Sequence, residues 1–247
     1  MSDNIPENRP QDDLQVTNPI QAASEIFYKP KQVFDALAVR DNWSWVPFIL
    51  LIAVLFLPFY LYFGMVDFDW YLNSAILPAM GDMAPAQQES QLAMYSPLQM
   101  QITTGLGVAL GSIILHAIIG FYYAMTTKND PKSVQGFTDW YGAMWWIAMP
   151  SLINALLALI LLTFQSSGGE INYAITNPLS LAYILGVDMS SSYFNFLIGL
   201  RLDTIWAIYL GAVCLQSWTE FSRNKAIVIA AIPSLLVITL SLLFLAM

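Results

Sequence analysis

Four polar residues stand inside long apolar stretches of this sequence, and their side chains are the ones that could hold a proton or an ion. They are one histidine, one amide and two opposite charges: His116, Asn154, Arg201 and Asp203. An ionised side chain at the centre of a bilayer costs roughly 2.5–3.5 kcal/mol on insertion scales. Such residues are therefore expected to face the protein interior. They would form either a proton or ion path or a buried network that holds helices together.

The spacing of Arg201 and Asp203 bears on this choice. They are two positions apart, which on a continuous helix places their side chains about 200° apart. We therefore expect each to contact a different neighbour, with His116 and Asn154 the nearest candidates in depth. One histidine and one acid are few groups for a conduction path, so the sequence favours the structural network over transport, although intramembrane charge often marks function.

Motifs for catalysis are missing from the sequence. With His116 as the single histidine, no HExxH zinc site can form, and no GxSxG turn accompanies it. Cys214 is the single cysteine, which excludes an intramolecular disulfide and a cysteine-based metal site. There is no Walker loop or GxGxxG motif, and the basic residues are too few for nucleic-acid binding. We expect no enzyme activity, no cofactor or metal, and no nucleic-acid partner.

The elements that must position these residues are membrane helices. The chain of 247 residues is 57% hydrophobic and 11% charged, against about 25% charged in ordinary soluble domains. Five apolar blocks of 22 to 25 residues each are long enough, at about 1.5 Å per residue, to cross a core of about 30 Å. We predict an all-α integral membrane protein, a bundle of five transmembrane helices over residues 43–65, 102–125, 140–164, 194–216 and 226–247.

Charge predicts the orientation of these spans. Eight of the nine basic residues lie before span one, between spans two and three, or between spans four and five. The other two loops, residues 66–101 and 165–193, contain no Lys or Arg. By the positive-inside rule the N-terminus is cytoplasmic and the C-terminus lies outside. Tryptophans near the cytoplasmic ends fit interfacial anchors: Trp43, Trp45, Trp140, Trp145, Trp146 and Trp218.

The region before span one divides into two parts. Residues 1–17 are polar and are predicted to be a disordered tail, and residues 18–42 a cytoplasmic amphipathic segment. Asn18 and Pro19 are a cap and first-turn proline, and Pro30 separates a second short helix. That helix would lie on the cytoplasmic leaflet or dock on the spans themselves. Its interfacial residues are Lys31, Val33, Phe34, Leu37 and Arg40.

Small residues at four-residue spacing predict which spans are central. Span two contains Gly107 and Gly111, a spacing that serves packing within the chain and dimerisation equally well. Similar stripes in spans two and four predict that these two are central and that span one is peripheral. The outer loops hold apolar stretches, residues 70–80 and 177–187, which are too short to span and fit short helices on or dipping into the outer surface.

Four stretches in this order resemble the Yip family, specifically its bacterial branch. Residues 18–50 contain the proline-interrupted helix and a Trp-rich start of span one, and residues 111–150 a span, a short basic loop and an aromatic-rich span. The outer loop carries an NPL motif at residues 177–179. In residues 200–232, Asp203 and Trp206 are similar to the family's Asp…Trp pattern.

The resemblance implies a five-span protein of the bacterial cytoplasmic (inner) membrane. Eukaryotic relatives engage small GTPases in membrane trafficking and shape membranes, but this chain lacks a counterpart of their acidic Tyr-Gly-Pro motif. Three functions are open: a non-enzymatic scaffold that recruits or organises proteins, a small-solute or ion transporter, and a lipid-binding or bilayer-shaping protein. The expected partners are the lipid bilayer and a protein, either another chain or a second copy.

Overall fold

The computed structural model describes residues 15–246, and all of its regular elements within that range are helices. Of the predicted disordered tail, residues 1–14 lie outside the described residues; Val16 is fully buried. Helix α1 (Pro19–Glu25) begins as predicted, because the Asn18 side chain accepts a hydrogen bond from the Gln21 amide. Helix α2 (Pro30–Leu37) follows, with its proline in the first turn.

The remaining helices alternate between long apolar and short connecting elements. They are α3 (Trp45–Met65), α4 (Phe68–Tyr71), α5 (Pro85–Leu92), α6 (Pro97–Thr127), α7 (Phe137–Ile147), α8 (Ser151–Thr163), α9 (Leu181–Ile184), α10 (Phe194–Gly199), α11 (Leu202–Trp218) and α12 (Arg223–Ala246). A π-helical turn at Leu72–Ile76 and 3-10 turns at Leu77–Met80 and Tyr173–Thr176 complete the two long loops.

Within residues 15–246, four helices are long and apolar enough to cross a membrane: Trp45–Met65, Pro97–Thr127, Phe137–Thr163 and Arg223–Leu245. The third combines α7 and α8, which join at Pro150, a residue without an amide hydrogen for helix continuation. The predicted continuous span over 194–216 is instead divided into α10 and α11 at Leu200 and Arg201, whose backbones are extended.

Burial corrects the expectation that span two is central and span one peripheral, whereas the second half of α11, in the predicted span four, is largely buried, as expected. In their most apolar windows, 50% of α7–α8 is buried, 28% of α3, and only 6% of α6, the predicted span two. Gly107 and Gly111 lie on the open side of α6, where an added Cβ would meet no atom within 4 Å, whereas Gly120 packs against the Tyr141 backbone. Gly spacing alone could not distinguish these faces, because close packing and lipid exposure both accept small residues.

Two clusters of buried side chains lie at opposite ends of the bundle. The first joins α2, α7 and α11 around Phe34, Trp140 and Leu215. The second lies under the two long loops, where Tyr62 packs with Tyr71 and Tyr173. Burial raises the pKa of Tyr71 to about 12, so this phenol is neutral at physiological pH. The loops are therefore packed parts of the fold and not free linkers.

Candidate functional site

The Arg201 and Asp203 side chains bind each other. The Arg201 Nε donates to Asp203 Oδ1 over 2.9 Å, and Nη2 contacts Oδ2. The Asp203 side chain is 5% exposed and that of Arg201 is 27% exposed. The prediction that they point to different neighbours is wrong, because Arg201 precedes α11 in an extended conformation and the 100° helical step does not apply to it.

Asn154, in the first half of α8, holds the NPL motif of the second long loop. Its Oδ1 accepts a hydrogen bond from the Leu179 amide at 3.0 Å, and its Nδ2 donates to Asn177 Oδ1 at 3.3 Å. Asn154 is 3% exposed, so these bonds satisfy an amide that would otherwise be costly to bury. They bring part of the loop down to the level of α8.

The same loop pairs with the interruption between α10 and α11. The Leu181 amide donates to the Leu200 carbonyl at 2.9 Å, and the Leu202 amide donates to the Leu179 carbonyl at 3.0 Å. These bonds satisfy backbone groups that the divided helix leaves without helical partners. We call this assembly the polar break: Asn154, Asn177, Leu179, Leu200, Arg201, Leu202 and Asp203.

His116 makes a different contact from the one expected. Its ring lies edge-on to Trp145 of α7, with 4.4 Å between the ring centroids. Its buried Nδ1 has no hydrogen-bond partner in the described part of the chain. Residues 177–181 thus connect Asn154 to the backbone beside Arg201 and Asp203. His116 lies apart from them, against the Trp145 ring.

The opposite end of α11 carries a second polar assembly, centred on α2. Val33 and Phe34 are fully buried, and the Trp218 Nε1 donates to the Phe34 carbonyl at 2.8 Å. Asp35 receives the Ser217 hydroxyl on one oxygen and the Lys31 ammonium, at 2.6 Å, on the other. Of the two placements that the sequence left open for this helix, the structure has it docked on another helix, α11.

A loop between α6 and α7 joins the same place. The Lys132 Nζ donates to the Ser217 carbonyl at 2.6 Å, and the Asp130 carboxylate accepts from the Glu220 amide at 3.1 Å. A cation at the carboxyl end of a helix is favoured by the helix dipole. We call the surface formed by α1, α2, residues 128–136 and residues 219–222 the α2 face.

The other residues expected at the interface occupy the edge of this face. Lys31 is exposed, and Leu37 packs partly buried against the cluster that includes Phe34. The Arg40 guanidinium lies over the Trp43 ring at 5.9 Å. Asp130, Lys132 and Ser217 were not identified from sequence, because a contact between a loop and a helix end more than 80 positions apart leaves no local pattern.

A comparison with family models identifies the family of this chain. The Yip1 domain model matches residues 24–245, nearly the whole chain. The chain belongs to the Yip1 domain family. No curated protein and no solved structure matches it. The Yip1 assignment and the apolar helices make it a multi-pass membrane protein, and the Yip1 family is not a known enzyme family.

Three tryptophans of this Yip1 chain occupy a different place from the one predicted. Trp140, Trp145 and Trp146 were expected as membrane anchors, but each is at most 2% exposed. They lie in α7, which packs against α6, α3 and α11, so their rings fill the core. Among residues 15–246, no group of three or more His, Cys, Asp or Glu side chains is placed to hold a metal ion.

Proposed function

We propose that this Yip1-domain protein is a non-enzymatic scaffold of the bacterial inner membrane that recruits a protein partner to its α2 face. The observation that carries the proposal is that hydrogen bonds hold separate segments of this face together. Two segments that are distant in sequence, α2 and the loop between α6 and α7, converge on Ser217 and Trp218 through side-chain hydrogen bonds. A surface fixed in this way is pre-organised, which lowers the entropy cost of binding a partner.

Exposed apolar side chains on the α2 face support a protein partner. Ile20 is 77% exposed, Tyr28 64% and Val134 85%. They lie outside the four candidate spans. Apolar side chains grouped on a water-facing surface are typical of sites of protein association, whereas the loops at the other end of the molecule are packed over the Tyr62 cluster.

The proposal includes five spans with a cytoplasmic N-terminus and an external C-terminus. Helices α10 and α11 together cover residues 194–218, which in series is long enough for one crossing. The polar break would then lie within the bilayer, buried among helices as non-helical backbone at that depth must be. The concentration of basic residues on the α2 side supports a cytoplasmic position for that side, by the positive-inside rule.

Site-specific photo-crosslinking in intact cells tests the scaffold. Probes at Ile20, Tyr28 and Val134 should each yield the same discrete protein adduct, whereas a probe at the exposed Gln87, in the opposite loop, should not. Lipid adducts alone, or equal protein adducts from Gln87, would contradict recruitment at the α2 face.

A small-solute or ion transporter is the second candidate, and the polar break is the observation that favours it. Divided helices with paired backbone at membrane depth are a feature of transporter binding sites. Here, however, Arg201 neutralises Asp203 and Asn154 is satisfied by the 177–179 segment, so the polar groups bind one another. Purified protein in liposomes should therefore show no proton or cation flux above empty liposomes, and flux abolished by Asp203→Asn would replace the scaffold with a transporter.

A further inference from the structure

A cavity of about 710 Å³ lies beside the α2 face, between the start of α3, the start of α7 and the middle of α6. Its volume falls within the roughly 300–1,000 Å³ of small-ligand sites. Along one wall α7 approaches the start of α3 closely at Gly142, where an added Cβ would lie 2.7 Å from Ser44 Oγ. No residue of the polar break lines this cavity, and of the residues bonded around Ser217 only Trp218 does.

The lining has two chemically distinct parts. Arg40, Asp41 and Asp139 line the part next to the segment that links α2 to α3 and the first turn of α7. Phe48, Ile113 and Trp145 line the part within the spans. Asn42, also in the lining, adopts a left-handed backbone with φ 64°, and backbone strain of this kind is often found at ligand clamps.

The polar and apolar parts of the lining lie at different depths along the helices. Helices α3 and α7 begin at Trp45 and Phe137, so charged residues just before or within their first turns lie at the level of the lipid head groups. Phe48 and Trp145 are further into the same helices, at the level of the acyl chains. Trp45, which is 61% exposed, borders the cavity and leaves that side open to the bilayer. A ligand with one polar and one apolar end fits this gradient, and a membrane lipid can reach it from the side.

The charged residues of the lining favour one class of lipid head group. The cavity holds one guanidinium and two carboxylates; the Gly136 amide occupies only Oδ2 of Asp139. A guanidinium is suited to bind phosphate, and carboxylates accept hydrogen bonds from an ammonium group. A purely anionic head group would face two carboxylates. We propose that this cavity binds a phospholipid with a phosphoethanolamine head group, with phosphate at Arg40 and ammonium at Asp41 and Asp139.

Native mass spectrometry of the purified full-length protein in detergent tests the site. Phosphatidylethanolamine, phosphatidylcholine and phosphatidylglycerol with identical acyl chains are supplied at equal concentration. We expect one retained phosphatidylethanolamine, favoured over each of the other two by about tenfold, the effect of one charge-assisted hydrogen bond. Equal retention of phosphatidylcholine, which has no ammonium hydrogens, or preferential retention of phosphatidylglycerol would overturn the proposal.

Matched variants assign the lipid to the cavity. Asp41→Asn should reduce the preference for phosphatidylethanolamine by about tenfold. Arg40→Gln should reduce retention of all three lipids, because each carries the phosphate, and Ile113→Trp, which fills the apolar part, should do the same. Arg223→Gln and Asp82→Asn remove the same charges at exposed positions outside the cavity and should leave retention unchanged. Each variant must elute as a monodisperse peak. Equal losses in the control variants, or no loss in the cavity variants, would place the lipid elsewhere and overturn the site.

Discussion

Asp203 lies in the first turn of α11, where its carboxylate meets both Arg201 and the positive end of the helix dipole. The ion pair is neutral as a whole. An arginine left without its carboxylate at this largely buried position would be an uncompensated charge. At the scale of single residues, we therefore expect the pair to stabilise the fold at the point where α10 and α11 divide.

Substitution of Asp203 by Asn should lower the melting temperature of the protein in detergent. Breaking a fully buried ion pair costs about 3–5 kcal/mol, and the 27% exposure of Arg201 reduces the loss. The double variant Arg201→Gln/Asp203→Asn, which leaves no unpaired charge, should melt above the single variant. Asp82→Asn, at an exposed loop position, is the control. An Asp203→Asn protein that melts with the wild type would show that the pair has no structural role.

Helix α2 is an element docked on the rest of the molecule through a few specific bonds. Its apolar residues Val33 and Phe34 are buried against α11, and Trp218 ties the backbone at Phe34 in place. The bond joins residues 184 positions apart in sequence. Loss of this docking would free the segment that carries the proposed partner surface.

Trp218→Phe keeps an apolar ring but removes the hydrogen bond to the Phe34 carbonyl, worth about 1 kcal/mol. We expect faster tryptic cleavage after Arg40, in the segment between α2 and α3, when native protein in detergent is digested for increasing times. Trp70→Phe, in α4 of the opposite loop, should be cleaved at Arg40 as slowly as wild type. Unchanged cleavage in Trp218→Phe would mean that burial alone holds α2.

The packing of α6 against α7 depends on Gly120, because a Cβ added at this position would lie 3.0 Å from the Tyr141 backbone. Gly120→Ala should therefore lower the melting temperature, since backbone atoms cannot rotate away. Gly107→Ala is the matched control: a Cβ added there meets no atom within 4 Å, and alanine in a helix gains about 0.5–1 kcal/mol over glycine. A lower melting temperature for Gly107→Ala would instead indicate that the open face of α6 is used in self-association.

The whole molecule has two unlike ends. The α2 face is a polar surface joined by hydrogen bonds, with exposed apolar side chains. The opposite end is covered by two loops packed over an aromatic cluster. The loops are themselves joined to each other, since the Asp67 amide donates to the Gly169 carbonyl at 2.9 Å. This asymmetry suits a protein that meets its partner on one side of the membrane only.

Cysteine labelling tests the proposed orientation. In a Cys214→Ala background, Gln87→Cys should react with a membrane-impermeant maleimide in intact spheroplasts, whereas Val134→Cys should react only after permeabilisation. Both positions are exposed, so burial does not limit either reaction. The reverse pattern would invert the topology and place the α2 face outside the cell.

The membrane class, the family and several helix starts could be predicted from the amino-acid sequence without any coordinates. Apolar runs of about 20 residues have no other stable setting than a bilayer or a large core, and Asn18 with Pro19 fixes the start of α1 through bonds within four residues. Such features depend on local chemistry, so the sequence carries them directly.

The division at Leu200, the pairing of Arg201 with Asp203 and the burial of the α7 tryptophans depend instead on contacts across the fold. The division is stabilised by backbone bonds from residues 179–181, about 20 positions earlier, and no periodicity records such a partner. Nor can an apolar surface on a helix show whether it meets lipid or another helix, because the two surroundings are equally apolar. The α7 rings could be assigned to the core only once their neighbours were in place.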